Sequence, residues 1–107
     1  MADWFIVGGT VGYPQNFTIE MPEGTAKNLS GYTLTIYVWK PGASTALFSG
    51  SVTPAVEASG TCYYTLAEGN APSSKKGEYI YSIRLVKGSE ILYTVAKTVE
   101  ILEGPPV

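Results

Sequence analysis

Two stretches of this chain, residues 32–39 and 79–86, alternate between two kinds of side chain with a period of two residues. One row in each stretch is apolar or aromatic, and consists of Leu34, Ile36 and Val38 in the first and of Tyr79, Tyr81, Ile83 and Leu85 in the second. Alternation of this kind puts one row on a dry face and the other on a wet face of a sheet. Both stretches are therefore predicted to be half-buried strands, packed sheet against sheet.

Turn residues interrupt the rest of the chain at close intervals, and no window has apolar residues sustained at helical spacing. We predict strands near residues 4–7, 15–21, 32–39, 45–53, 60–66, 78–86 and 90–101. Seven strands in 107 residues indicate an all-β sandwich of antiparallel strands. A single domain is expected over residues 1–102, followed by an extended tail at 103–107, where prolines lack the donors that a strand needs.

The last predicted strand contains an irregularity. Its apolar row, which includes Ile91, Tyr93 and Val99, also contains the charged Lys97. Either the strand has a bulge or bend near Ala96 to Thr98, or Lys97 lies where the row leaves the core.

Residues 77–81 (GEYIY) fit the corner of an immunoglobulin-like sandwich, in which a tyrosine lies near the start of the sixth strand. Tyr79 would be that tyrosine, and Tyr81 would replace the second core cysteine. An ordinary buried aromatic strand explains the same residues equally well. Trp39 has the opposite parity to Ile36 and Val38, so the buried tryptophan of antibody domains is not matched and an antibody domain is disfavoured.

Composition excludes several functional classes. The chain has no histidine, which rules out Ser-His-Asp and Cys-His sites, and Asp3 is its one aspartate. We expect no enzyme activity, no metal and no cofactor. A net charge of −2 gives no basic face for nucleic acid. Cys62 lies on a predicted core row, which favours a small buried hydrophobe over a reactive thiol, and as the single cysteine it forms no internal disulfide.

Targeting signals are not evident either. The first residues, Met1 to Trp4, carry no positive side chain, and the apolar run after them is too short for a signal peptide. No stretch approaches the roughly 20 apolar residues of a membrane span. We therefore expect a protein made in the cytoplasm with no membrane partner.

Several segments together resemble the N-terminal immunoglobulin-like domain of the phage baseplate upper protein. They are residues 8–10 (GGT), 17–20 (FTIE), Gly24, 28–36 (NLSGYTLTI), 60–64 (GTCYY) and 76–79 (KGEY). The resemblance covers roughly residues 5–102. It implies an immunoglobulin-like sandwich and a structural part of a virion, and it brings no catalytic residues. Members of that family continue into further domains that bind receptors or dock, whereas this sequence ends at Val107.

Three functions stay open on this basis. The leading expectation is a tail or baseplate protein of a bacteriophage that binds other virion proteins, with a homo-oligomer as a further option. Head decoration is the first alternative, and a carbohydrate-binding module that stacks a glycan on exposed aromatic side chains is the second. Candidate partner-binding residues are those expected to be outward or terminal: Trp4, Phe5, Tyr37, Trp39, Pro105 and Pro106.

Overall fold

Eight strands form the part of the chain that the computed structural model describes, which is residues 4–20, 27–67, 76–94 and 96–104. They are β1 (Trp4–Val7), β2 (Pro14–Thr18), β3 (Thr33–Trp39), β4 (Ala46–Val56), β5 (Thr61–Thr65), β6 (Gly77–Lys87), β7 (Glu90–Tyr93) and β8 (Lys97–Leu102). A 3₁₀ turn, Glu57–Ser59, precedes β5. The prediction of an all-β chain is confirmed.

The strands pair in the order β1-β8-β6-β3-β4-β5-β2, and β7 pairs with β6. The long β4 belongs to both halves of this curled sheet, because its residues 46–52 pair with β3 and its residues 53–56 pair with β5. One half thus holds β3, β6 and β8 and the other holds β2 and β5, which is the immunoglobulin-like arrangement. One pair departs from the antiparallel prediction: β1 runs parallel to β8.

The core follows the alternation predicted for β3 and β6. Every member of the two apolar rows is buried, with exposed fractions between 0% and 7%. In register, Ile36 lies opposite Ile83, and Leu34 lies opposite Leu85. Apolar side chains from these facing positions therefore fill the interior between the two halves of the sheet.

The irregularity predicted in the last strand divides it into β7 and β8. Arg84 pairs with Tyr93, and Tyr81 pairs with Lys97. Two residues of β6 therefore correspond to three residues between Tyr93 and Lys97, which is the count of a β-bulge. The extra residue lies between Tyr93 and Lys97, slightly earlier than the bulge or bend predicted near Ala96 to Thr98. The alternative prediction also fits, because Lys97 is exposed at the start of β8, where the row of the buried Val99 leaves the core.

The extra residue reverses which parity faces the core. Leu92 packs against the core in β7, whereas Val99 and Ile101 are buried in β8. Ile91 and Tyr93 consequently point outward and are 57% and 65% exposed. The sequence predicts one apolar row for this segment, but the structure has two: Ile91 and Tyr93 lie on the outer face, and Val99 and Ile101 lie on the core face.

Trp4 is buried, and its prediction as an outward partner-binding residue is wrong. Its side chain is 3% exposed. The ring makes edge contacts with Phe17, at 5.5 Å between centroids and 86°, and with Tyr81, at 5.4 Å and 84°. Because β1 and β2 stand at opposite ends of the strand order, the contact between Trp4 and Phe17 shows that the sheet curls until its two ends meet.

Gly60 joins three segments of backbone beside the 3₁₀ turn. Its φ is +70°, and its N–H donates to the Glu57 carbonyl at 3.1 Å. Its own carbonyl accepts from the Ile19 N–H at 2.8 Å, and the Ile19 carbonyl accepts from the Lys27 N–H at 2.9 Å. A Cβ at this position would lie 2.5 Å from the Ile19 carbonyl oxygen, so the junction has room for glycine only.

Cys62 is buried on the core row, as predicted, with 1% exposure. Burial raises the pKa of its thiol from 9.0 to about 11. Because the thiolate is the reactive form, we expect the folded protein to contain about 100-fold less thiolate near pH 8 than a thiol of pKa 9.0. Ellman's reagent should therefore modify Cys62 rapidly in guanidinium chloride and very slowly in native buffer. Equal rates in the two solutions would contradict this placement.

Candidate binding surfaces

An open groove of about 600 Å³ lies on the outer face of β3 and β6, and we call it the aromatic groove. Three aromatic rings, three alanines and three hydroxyl side chains line it: Tyr37, Trp39, Tyr93, Ala43, Ala46, Ala96, Ser44, Thr45 and Ser82. None of these side chains is charged. The groove is thus a mainly apolar site with a few polar groups, which is the usual make-up of a ligand pocket.

Four strands and two connections bring the groove together. Tyr37 and Trp39 project outward from β3, where Tyr37 lies opposite Ser82 of β6. Tyr93 arrives from β7, whose pairing with β6 puts it beside this face. The connection between β3 and β4 and the first residue of β4 supply residues 43–46, and the connection between β7 and β8 supplies Ala96. The pairing of β3 with β4 shifts register between Val38 and Trp39.

Hydrogen bonds hold the floor of the groove at the bulge. The Ser82 hydroxyl donates to the Thr94 carbonyl at 2.8 Å, and the Thr94 hydroxyl accepts from the Ile83 N–H at 2.9 Å. These bonds satisfy backbone groups that the interrupted pairing would leave free. They also fix where β7 ends, and therefore where the neighbouring Tyr93 stands.

Arg84 flanks the aromatic groove without lining it. Its guanidinium carbon lies 5.4 Å from the centre of the Tyr37 ring, within the range of a cation–π contact. Its Nε is buried and has no hydrogen-bond partner. The guanidinium thus covers one side of the Tyr37 ring next to the groove.

A second candidate surface lies on the outer side of β1 and β8, and we call it the apolar edge. Phe5 and Val7 share the outward row of β1, with 53% and 46% exposure. Leu102, at 37% exposure, lies next to Val7 in register. These three exposed apolar side chains share one face, on which Glu100 lies beside Phe5 in register. Grouped exposed apolar side chains mark protein contact sites more often than solitary ones do.

The structure places the predicted site residues in different environments. Phe5 is exposed in the apolar edge, and Tyr37 and Trp39 are half-buried in the aromatic groove. Trp4 is removed from the candidates by its burial. Pro105 and Pro106 lie outside the described residues. Sequence reasoning missed Tyr93 because it placed that residue on the core row. The charged Lys97 on the same predicted row was the one signal that this row changes face.

Within the described ranges, His, Cys, Asp and Glu side chains nowhere gather in a group of three or more that could hold a metal ion. The same residues include no helix that is long and apolar enough to cross a membrane.

No protein-family model matches the chain, and a search of curated proteins found no match. Evidence for function therefore comes from the aromatic groove, the apolar edge and the sequence itself.

Proposed function

We propose that this protein is a non-enzymatic interaction domain of a bacteriophage virion, a tail or baseplate component that binds neighbouring virion proteins. The resemblance to the baseplate upper protein domain motivates the virion assignment. The immunoglobulin-like sandwich is the fold that this resemblance implies. Head decoration remains the alternative place within the particle.

The apolar edge is the observation that supports binding to a protein neighbour. Phe5 and Val7 project from a terminal strand of the sheet order, and Leu102 extends the same outer face onto β8. Burying these side chains in an interface would remove apolar surface from water, at about 25 cal/mol for each Å². Aromatic side chains are also enriched at the centres of protein interfaces, which makes Phe5 the expected anchor.

Replacing Phe5 by aspartate tests this role. The side chain is more than half exposed, so we expect the free energy of unfolding of the variant to lie within about 1 kcal/mol of that of the parent protein. Each protein encoded beside this gene would be co-expressed with the domain, and complexes would be measured by sedimentation. We expect one neighbour to bind, and the aspartate to weaken that complex about tenfold or more.

Val56→Asp is the matched control, because Val56 is 56% exposed and belongs to β4, away from the apolar edge. It should leave the complex intact. Failure of every neighbouring gene product to bind, or equal weakening by both substitutions, would count against the proposal. The identity of the bound neighbour separates a tail or baseplate position from head decoration.

A carbohydrate-binding module is the second candidate, and the aromatic groove favours it. Tyr37, Trp39 and Tyr93 offer faces on which a sugar ring can stack, and nearby hydroxyl groups can exchange hydrogen bonds. Binding on a glycan array that Trp39→Ala abolishes and Phe5→Asp leaves unchanged would establish this function in place of the first.

A further inference from the structure

We infer that the aromatic groove binds an acidic glycan, one of whose sugar rings stacks in the groove while the carboxylate of that sugar pairs with Arg84. The inference rests on the second candidate function above, because it names the class of sugar that the groove would take. It does not involve the apolar edge, so the two surfaces can be tested separately.

Arg84 lies beside the groove and carries a charge that no described group neutralises. It is the one arginine of the chain, and its half-buried side chain belongs to the outer row of β6. The one ion pair among the described residues joins Lys76 to Glu103. Glu90, on the neighbouring β7, accepts a hydrogen bond from the Tyr32 hydroxyl instead. The guanidinium is therefore available to an anion that comes from outside this part of the chain.

Groove residues stand on three sides of Arg84. Ser82 precedes it on the same outer row of β6, and Tyr93 lies opposite it in register on β7. The centre of the Tyr37 ring is 5.4 Å from the guanidinium carbon. Side chains that lie directly opposite each other in antiparallel strands have Cβ atoms about 5 Å apart. A ligand that occupies the groove would thus have the guanidinium within reach of one of its ends.

The guanidinium lacks hydrogen-bond acceptors. Its Nε is buried without a partner, and its contact with the Tyr37 ring provides no oxygen acceptor. Buried polar groups in proteins nearly always have a partner, and a bound molecule is one source of it. The N–H groups of arginine form a fork that matches the two oxygens of a carboxylate. A carboxylate is therefore the ligand group that best fits this side chain.

The rest of the groove suits a neutral ring that carries hydroxyl groups. Trp39 and Tyr93 supply aromatic faces, and Ser44 and Thr45 supply exposed hydroxyls that can both donate and accept hydrogen bonds. The groove is open, whereas sites for small molecules usually enclose 70–90% of the ligand surface, roughly speaking. An extended polymer can instead gain contacts from several successive units. A glycan with a carboxylate on one ring combines these properties.

The test compares two forms of the same glycans. One array carries glycans that contain uronic or sialic acids, and a second carries these glycans after their carboxyl groups have been reduced to alcohols. The two forms differ in the group that Arg84 would bind. We expect the domain to bind acidic members and to bind their reduced forms about tenfold or more weakly. Added salt should weaken binding of the acidic form and have little effect on the reduced form.

Three substitutions assign the effect to the groove. Arg84→Gln should weaken binding of the acidic form about tenfold or more and leave binding of the reduced form unchanged, which also shows that the variant is folded. Trp39→Ala should abolish binding of both forms, because it removes a stacking face. Lys87→Gln is the matched control: it removes the same charge from the same strand, but Lys87 does not line the groove and its Nζ lies 5.4 Å from the centre of the Tyr32 ring. It should leave both affinities unchanged.

Equal affinity for the two forms, or equal weakening of both by Arg84→Gln, would overturn the inference while carbohydrate binding itself stood. Absence of binding to any glycan would overturn both. If the domain bound no glycan but bound peptides through their C-terminal carboxylate, and Arg84→Gln abolished this binding, the groove would be a peptide site instead. None of these results concerns the apolar edge, whose complex with a neighbouring gene product is measured with Phe5→Asp.

Discussion

Replacing Trp4 by alanine should lower the free energy of unfolding by about 3 to 5 kcal/mol, the usual cost of truncating a buried tryptophan. The indole is almost fully buried and touches both Phe17 of β2 and Tyr81 of β6. Its loss leaves a cavity at the place where the two ends of the sheet meet. Thermal denaturation followed by circular dichroism should show a Tm lower by more than about 12 °C.

Phe5→Ala is the control for this measurement, because Phe5 neighbours Trp4 on the same strand but is 53% exposed. Its loss should cost less than about 1 kcal/mol. Similar effects of the two substitutions would mean that β1 has the opposite face inward. The pairing of β1 with β8 would then have to shift by one residue.

Replacing Gly60 by alanine should destabilise the fold by roughly 2 to 5 kcal/mol, for two separate reasons. Its φ of +70° is unfavourable for any residue with a Cβ. The new methyl group would also meet the Ile19 carbonyl oxygen at 2.5 Å and the Lys27 carbonyl oxygen at 2.9 Å. Because both neighbours are backbone, neither can rotate away, and chemical denaturation should report a lower midpoint.

Gly88→Ala separates the two causes. Gly88 has a similar φ of +59°, but a Cβ there would have no atom within 4 Å. We expect this substitution to cost only the conformational part, about 1 to 2 kcal/mol. The difference between the two glycines then measures the steric conflict at Gly60. A Gly88 variant as unstable as the Gly60 variant would show that crowding contributes nothing.

The strands β3 and β6 could be predicted from the sequence because alternation alone determines which side chains face the core. Each is long enough to show three or four apolar residues in one row, as with Leu34, Ile36 and Val38. The parity of Trp39 was correct for the same reason. Local pattern is sufficient where a strand has one dry and one wet face.

The face of β1 could not be predicted in this way. All four of its residues, Trp4–Val7, are apolar or aromatic, so both rows are equally suited to burial. Its correct face depends on the parallel pairing with β8 and on the contact between Trp4 and Phe17, which are tertiary features. A position near the start of the sequence wrongly suggested that the tryptophan was outward.

The aromatic groove could be predicted only in part. Tyr37 and Trp39 lie on one strand, and their shared outward row is a local property. Tyr93 joins them because the bulge after β7 changes parity, and sequence cannot say at which residue such a change falls. The end of β4 shows the same limit: the sequence predicts a strand near residues 45–53, but β4 continues to Val56 across a register shift between Pro54 and Val56, where proline is tolerated.

The parallel pairing of β1 with β8 has a mechanical consequence. Trp4, where the chain enters β1, and Leu102, where it leaves β8, lie at opposite ends of one ladder that pairs Trp4 with Val99 and Val7 with Leu102. Tension that pulled these two points apart would act along the strands, so all hydrogen bonds of the ladder would bear the load in shear at the same time. An antiparallel hairpin pulled from its open end would instead unzip bond by bond. A load applied between Trp4 and Leu102 would therefore have to break the hydrogen bonds of this ladder together rather than one after another.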